Sequence, residues 1–235
     1  PNAELRQRAE ALGCRAAAEA GAIPADAVPQ LVVIAVKPQV IREVTGAYTR
    51  FGEGLTTFLS IAAGTPVATF EEVLGKRAPI IRCMPNTPAA IGKGMMVLYA
   101  NALVSPQTRQ AVADLLSANG EVATIAEEGL MDAVTAVSGS GPAYVFHFIE
   151  CLTAAAEKAG LPSETAKLLA MQTVFGAASL AAESREDPAV LRRQVTSPNG
   201  TTAAALDVLM GGDRLKTLVM EAVEAARLRS IELGR

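Results

Sequence analysis

The 235-residue sequence is half apolar, contains 21 basic and 24 acidic residues, and has few aromatic residues and no Trp. The net charge of −3 gives no basic excess for nucleic-acid binding, and the scarcity of aromatic residues argues against base stacking. No apolar run reaches the about 20 residues that a membrane-spanning helix requires. Length and apolar content together predict one or two globular domains with substantial cores.

Cysteine and histidine are too sparse for the common metal and redox motifs. Cys14, Cys83 and Cys151 are widely separated, so we predict neither a metal site nor a disulfide, and a reducing, cytoplasmic setting. The single histidine, His147, lies in the apolar run YVFHFIE and is interpreted as a core or interface residue. The sequence begins at Pro1 without a signal-peptide pattern, so we expect it to start inside a longer natural chain.

Short apolar segments alternate with helical ones through the first half of the chain. Residues 31–36 form a β-branched run without polar alternation, which is typical of a strand buried on both faces. The other predicted strands are residues 55–62, 79–84, 95–99 and 122–125, and the predicted helices are residues 38–50, 67–74 and 106–119. This alternation predicts an α/β domain with a largely parallel sheet and some antiparallel strands at its edge.

Strand signals end near residue 127, and only helical patterns follow. The predicted helices of this half are residues 130–137, 141–160, 162–184, 201–210 and 215–233. We therefore predict an α/β domain over residues 1–126 and an all-helical domain over residues 127–235. No spacer rich in Gly, Ser and Pro separates them.

The segment SPNGTT, which begins at Ser197, joins turn-forming residues to a strongly helical run. A helix that starts there leaves several backbone N–H groups unpaired. Ser197 or Asn199 could cap these groups. Alternatively, Gly200 lets an anion approach closely, and Thr201 and Thr202 add hydroxyl donors. The local sequence leaves both interpretations open.

Two loops follow predicted strands at their carboxyl ends, where ligands gather in doubly wound sheets. In the loop AVKP, Lys37 could meet a phosphate or ribose, or be a solvated loop lysine. The loop RCMPNTP contains two prolines, and their rigidity suits a flat cofactor ring, although stiff loops also occur without a site. Cys83 in this loop is interpreted as a small packing residue, because nothing nearby activates its thiol.

The G-x-G in SGSGP, residues 138–142, lacks the preceding strand and the third glycine of a dinucleotide fingerprint. It is interpreted as a glycine hinge that exposes the hydroxyls of Thr135, Ser138 and Ser140, or as tight helix packing through small residues. Pro142 then starts a helix whose N-terminus could face a polar ligand.

Taken in order, six stretches of the chain resemble the pyrroline-5-carboxylate reductases: AVKPQ, SIAAGTP, IIRCMPNTPAAIGKG, DAVTAVSGSGPAYVF, EKAGLP and VTSPNGTT. The combination of RCMPNTP, SGSGPAY and SPNGTT is far more specific than a lone glycine motif. The resemblance implies a Rossmann-type NAD(P)-binding domain and an all-α domain that dimerises by interlocking, with dimers commonly assembled into decamers. It also implies reduction of 1-pyrroline-5-carboxylate to L-proline with NADPH or NADH.

The resemblance further implies a set of site residues. The cofactor-binding residues would be Ala35, Val36, Lys37, Pro38, Cys83, Met84 and Pro85. The substrate-binding residues would be Gly200, Thr201, Thr202 and Ser140. Thr135 would be the catalytic residue, with its hydroxyl beside the imine.

Two departures from the family pattern accompany this resemblance. The family's first strand and its Gly-rich pyrophosphate loop are expected to precede Pro1, so residues 1–235 alone should bind NADPH poorly. Some relatives have an asparagine before the LVVIAVKP strand and an acidic residue where this chain has Arg185, and neither role is transferred here.

Two other functions stay open from the sequence. One is a hydroxyacid dehydrogenase, another reductase that pairs a Rossmann domain with a helical domain. Such enzymes usually place a catalytic lysine on the long interdomain helix, whereas GPAYVFHFIECLTAAAEK has no lysine before Lys158. The other is a relative that only binds a ligand or oligomerises.

Overall fold

The computed structural model describes residues 2–234, which form two compact units. The first unit contains the chain up to Gly139 and the C-terminal segment from Arg227. The second unit is Ser140–Ala226. No helix within residues 2–234 has both the length and the hydropathy needed to cross a bilayer.

The first unit is built on a five-stranded sheet with the order β1-β2-β3-β4-β5. The strands are β1 Leu31–Ile34, β2 Thr57–Ser60, β3 Ile80–Met84, β4 Gly94–Ala100 and β5 Gly120–Thr124. The first three strands are parallel, β4 is antiparallel to β3, and β5 is parallel to β4. The predicted α/β fold class is therefore confirmed, including the antiparallel strands on one side of the sheet.

Helices connect these strands and make up the second unit. In chain order they are α1 Ala3–Ala11, α2 Ile41–Gly46, α3 Val67–Leu74, α4 Pro106–Ser117, α5 Met131–Val134, α6 Gly141–Lys158, α7 Ser163–Ser184, α8 Pro188–Gln194, α9 Thr201–Met210 and α10 Arg214–Leu233. A π-helical turn, Thr135–Gly139, follows α5 directly.

Two predicted helices differ from the structure, and one observed helix was not predicted. The continuous helix expected over residues 38–50 is wrong, because 3-10 turns flank the short α2, whose Thr45 and Gly46 favour helix weakly. The α-helix expected over residues 130–137 ends at Val134, and the π-helical turn Thr135–Gly139 follows. The helix α8 was not predicted, although Asp187 caps it by accepting from the Ala189 N–H at 2.7 Å.

The sheet core follows the two-residue period of its central strands. Phe58 and Ile80 belong to one buried cluster, whereas Leu59 and Ile81 belong to the other. Full burial of each such side chain stabilises the fold by about 1.5–3 kcal/mol. The prediction that residues 31–36 form a strand buried on both faces is wrong, because Val33 of β1 is 50% exposed. All four residues of β2 are buried instead. The β1 strand lies at the edge of the sheet among the described residues.

The second unit leaves most of its large apolar side chains exposed. Among its described residues only Ala166 and Ala170 are buried. His147 is exposed. Of its two interpretations, the core residue is therefore wrong, and the interface residue stays a prediction. The exposed apolar residues include Val145, Phe146, Phe148, Leu168, Met171, Phe175, Leu180, Val208, Leu218, Val219 and Met220. Apolar surface on this scale marks an interaction surface.

Candidate active site

The carboxyl ends of β1, β2 and β3 lie at one edge of the sheet because the three strands are parallel. Their register pairs Ile34 with Ser60, and Ser60 with Arg82. The loops AVKP and RCMPNTP, which the sequence analysis singled out, therefore leave the same edge. Lys37 and Pro38 are exposed in the first loop, and Pro38 opens a 3-10 turn.

A groove of about 460 Å³ lies in the first unit at this edge. Pro38 from the first loop, the segment 64–66 after β2 and Leu233 of α10 contribute to its walls. Grooves of a few hundred Å³ at strand carboxyl ends are typical ligand sites of α/β sheets.

Cys83 is a core residue of the sheet. Its side chain is 2% exposed and packs in the cluster that contains Leu59, Met96 and Leu98. Burial raises the pKa of the Cys83 thiol to about 12, so the thiol is protonated at neutral pH. Its interpretation as a packing residue fits this environment, and only its backbone is available to a ligand at the sheet edge.

We expect iodoacetamide at about pH 8 to leave Cys83 unmodified in the native protein, because the reactive thiolate is suppressed there. Cys14 is exposed and serves as the internal control. Peptide mass spectrometry after alkylation measures both sites. Unfolding the protein in guanidinium should make the two thiols equally reactive, and equal alkylation before unfolding would contradict the prediction.

Thr135 begins the π-helical turn, and its hydroxyl is already committed as a donor. The Oγ1 donates to the Met131 carbonyl oxygen at 2.8 Å, and the residue is half-buried. The hydroxyl oxygen can therefore accept a hydrogen bond from a ligand while its proton is donated to the Met131 carbonyl oxygen. Short π-helical segments of this kind are frequent at functional sites.

The RCMPNTP loop contacts this turn through Asn86, a residue that the sequence analysis missed. The Asn86 side chain donates to the Ser138 carbonyl oxygen at 3.2 Å. A Cβ placed on Gly139 would lie 2.3 Å from the Met84 methyl carbon, so the Met84 side chain packs closely on Gly139 and would have to move to admit a larger residue.

A buried ion pair supports the same region and was also missed. The Arg82 guanidinium donates to the Glu128 Oε1 at 2.6 Å, and the Arg82 side chain is only 9% exposed. The same oxygen accepts from the Val67 N–H, the first amide of α3, at 2.7 Å. A charged residue inside the apolar strand IIRCM was the available signal, because a buried guanidinium requires a partner.

The end of α10 packs onto the same segment of the first unit. The buried Ser230 hydroxyl donates to the Asp132 carboxylate at 2.6 Å, one helical turn before Thr135. This hydrogen bond fixes the helix that leads into the π-helical turn.

In the second unit, α9 begins at Gly200 without a side-chain cap. The capping interpretation for Ser197 and Asn199 is therefore wrong. Asn199 adopts a φ of 56°, and a Cβ on Gly200 would lie 2.5 Å from the Ser197 hydroxyl oxygen. The turn therefore leaves little room for a side chain at position 200, and no side chain caps the first-turn N–H groups. Thr202 in this turn is half-buried.

Sequence comparisons with known proteins identify the family. Residues 128–233 match the family model described as pyrroline-5-carboxylate reductase dimerisation. The pyrroline-5-carboxylate reductase of Pseudomonas aeruginosa is 47% identical over 204 residues, which cover 87% of this chain and 74% of that protein. The enzyme of Pasteurella multocida is 37% identical over 238 residues, which cover 100% of this chain and 86% of that protein. The chain belongs to the pyrroline-5-carboxylate reductase family.

Solved structures agree with this assignment. A pyrroline-5-carboxylate reductase of Coxiella burnetii has a TM-score of 0.92 at 36% identity, covering 100% of this chain and 86% of that one. The Plasmodium falciparum pyrroline carboxylate reductase with NADP bound has a TM-score of 0.77 at 34% identity. The match covers 88% of this chain and 78% of that one. The resemblance stated from the sequence motifs is confirmed. The family match also assigns oligomer formation to the helical half of the chain.

Proposed function

We propose that the chain catalyses the reduction of 1-pyrroline-5-carboxylate to L-proline, the last step of proline biosynthesis, with NADPH or NADH as hydride donor. The strongest support is the geometry of the candidate site in the first unit, found in a chain that belongs to this family. Two strand-end loops leave one sheet edge, and one of them contacts the turn that contains Thr135.

The residues at the sheet edge fit a nicotinamide cofactor. A groove at strand carboxyl ends suits its phosphates and riboses, and the exposed Lys37 directly precedes Pro38 in the groove wall. A proline-stiffened loop suits its flat ring. The cofactor, when bound, supplies the hydride. The residues proposed to hold it are Ala35, Val36, Lys37 and Pro38, with Met84, Pro85 and the backbone of Cys83.

The proposed role of Thr135 is to orient the substrate. A protonated imine has an N–H that donates, and the Thr135 oxygen has free lone pairs because its own proton is bound to Met131. A threonine hydroxyl is also too weak an acid to protonate the ring nitrogen efficiently. Thr135 therefore accepts a hydrogen bond from the ring nitrogen and holds it at one position.

The substrate carboxylate is proposed to bind at the start of α9. Uncapped N–H groups and the positive end of the helix dipole favour an anion there. Thr201 and Thr202 add hydroxyl donors, and Gly200 exposes the backbone. Ser140, which precedes α6, is proposed as a further substrate contact.

No metal or covalent nucleophile is required by this scheme, because a protonated imine is already a good hydride acceptor. The protein contributes by aligning the reacting carbons and excluding water, which lowers the barrier by up to roughly 7–11 kcal/mol in favourable cases.

The assembly is proposed to be a homodimer formed by the all-α domain, residues 127–235, with dimers combining into decamers, while residues 1–126 form the nucleotide-binding domain. The exposed apolar residues of α6, α7 and α10 support dimerisation through the helical half. The enzyme is proposed to act in the cytoplasm, without nucleic-acid or membrane partners.

We expect light scattering at micromolar concentration to give at least twice the mass of one chain, because the apolar faces of the helical unit are uncovered in a single chain. Replacing exposed Phe175 of α7 by Glu should shift the protein towards monomer. A matched exposed change on the same helix, Gln172→Glu, should leave the mass unchanged. A monomeric wild-type protein would contradict the proposed assembly.

A steady-state assay tests the proposed function and its alternatives together. The natural full-length protein should oxidise NADPH when 1-pyrroline-5-carboxylate is added and should form one proline per NADPH. Oxidation of NADPH on addition of a 2-oxo acid, but not of 1-pyrroline-5-carboxylate, would favour a hydroxyacid dehydrogenase. Absence of oxidation with both substrates would favour a non-catalytic relative.

A further inference from the structure

We propose that Asn86 is a positioning residue, which fixes the RCMPNTP loop against the π-helical turn containing Thr135. The inference rests on the proposed function, since that function assigns the loop to the nicotinamide and the turn to the imine. The new point is that Asn86, which is not itself proposed to contact cofactor or substrate, sets the distance between the RCMPNTP loop and the Thr135 turn within the first unit.

The Asn86 carboxamide makes hydrogen bonds in two directions. Its Oδ1 accepts from the Met95 N–H at 2.9 Å, which attaches the loop to β4. Its Nδ2 donates to the Ser138 carbonyl oxygen at 3.2 Å and lies 3.4 Å from the Ser138 hydroxyl oxygen. A carboxamide accepts from an N–H through its oxygen and donates to a carbonyl through its nitrogen. Asparagine therefore matches both partners.

The packing of Met84 on Gly139 reinforces this link. The Met84 methyl carbon occupies the space that a Cβ on Gly139 would need, and that same Cβ position is 3.7 Å from the Thr135 Cγ2. Met84, the last residue of β3 and proposed to contact the cofactor, thus packs on the turn that contains Thr135, the residue proposed to orient the imine. The hydrogen bonds of Asn86 keep the two segments in this contact.

Loss of this link should affect the chemical step more than binding. Hydride transfer requires near-attack separations of about 3–3.5 Å, and a misplacement of about 1 Å costs roughly 100-fold in rate. The residues proposed to hold the cofactor and the substrate carboxylate are unchanged by a substitution at Asn86. We therefore expect kcat to fall and KM to change little.

Asn86→Asp is the informative variant, and Asn101→Asp is its matched control. Aspartate keeps the oxygen that accepts from the Met95 N–H but places a carboxylate oxygen against the Ser138 carbonyl. Asn101 makes the same type of pair, accepting from the Ile80 N–H at 3.1 Å and donating to the Ala78 carbonyl at 3.1 Å. Those partners lie at the start of β3, at the opposite end of that strand from the RCMPNTP loop.

Both variants should lower Tm, but only Asn86→Asp should lower kcat by roughly 10- to 100-fold, with KM for the imine within about threefold of wild type. Hydrogen–deuterium exchange of the cofactor-free protein gives a readout that needs no activity. The amides of residues 135–139 should exchange faster in Asn86→Asp and at the wild-type rate in Asn101→Asp.

If Asn86→Asp does not fold, Gly139→Ala provides the test, because its methyl group displaces Met84 while Asn86 is retained. It should give the same loss of kcat. Wild-type turnover tests the proposed function, whereas the variant-to-wild-type comparison and the exchange rates test this inference. The inference is overturned if the informative variant keeps kcat within about twofold of wild type, if Asn101→Asp loses as much, or if exchange in the turn is unchanged.

Discussion

Replacing Thr202 by alanine is expected to lower kcat/KM for 1-pyrroline-5-carboxylate by roughly 10- to 150-fold. The reason is the loss of one hydrogen bond to the substrate carboxylate, and such a bond to a charged group contributes about 1.5–3 kcal/mol. The helix α9 should persist, because alanine favours helix and no side chain caps the helix start in the first place. KM for NADPH should be nearly unchanged, since the cofactor-binding residues are proposed in the strand-end loops.

A matched control separates this effect from a general change in helix stability. Thr165 is an exposed threonine in the first turn of α7 in the same unit, and Thr165→Ala should leave kcat/KM at the wild-type value. Kinetics and thermal unfolding are measured on all three proteins. Unchanged kcat/KM with a lowered Tm in Thr202→Ala would remove the carboxylate role and leave Thr202 as a helix-start residue.

Replacing Glu128 by alanine is expected to destabilise the fold by about 3–5 kcal/mol, because the buried Arg82 guanidinium would lose its counter-charge. The change also removes the acceptor of the Val67 N–H at the start of α3. For a chain of this size the loss corresponds to a decrease of roughly 6–20 °C in Tm. Differential scanning calorimetry measures it.

Two comparisons make this prediction specific. Glu164 and Lys167 form an exposed pair at 3.0 Å on α7, and Glu164→Ala should leave Tm nearly unchanged because exposed pairs contribute little. The double variant Arg82→Met/Glu128→Leu should recover most of the lost stability, because it removes both charges from the buried site. A Tm for Glu128→Ala equal to that of Glu164→Ala would show that the buried pair has no stabilising role.

The sequence predicted most accurately those helices whose ends are marked by proline or glycine. The bounds of α3 and α9 match the expected residues 67–74 and 201–210, since Pro66 and Gly75 flank the first and Gly200 and Gly211 flank the second. The parallel order of the early strands followed from their alternation with helices. The shared edge of the AVKP and RCMPNTP loops then follows from strand direction alone.

The contacts that organise the site could not be predicted because they join distant positions. Arg82 and Glu128 are separated by 46 residues, and Asn86 and Ser138 by 52. Neither pair leaves a periodic signal in the sequence. The packing of Met84 on Gly139, a residue of the π-helical turn, likewise joins positions that are distant in the sequence.

The edge position of β1 shows a related limit. Residues 31–36 have the composition of a strand buried on both faces, yet Val33 is 50% exposed in β1, which lies at the edge of the sheet among the described residues. Burial depends on the order of strands in space, which hydrophobic pattern does not determine.

The most direct test of the account is isotope transfer with the natural full-length enzyme. With NADPH deuterated at C4 of the nicotinamide on the transferred face, we expect deuterium on the ring carbon of L-proline that was the imine carbon. Thr202→Ala and Asn86→Asp should form the same labelled product more slowly. Proline without deuterium, or no proline when NADPH and 1-pyrroline-5-carboxylate are both present, would contradict direct hydride transfer at this site.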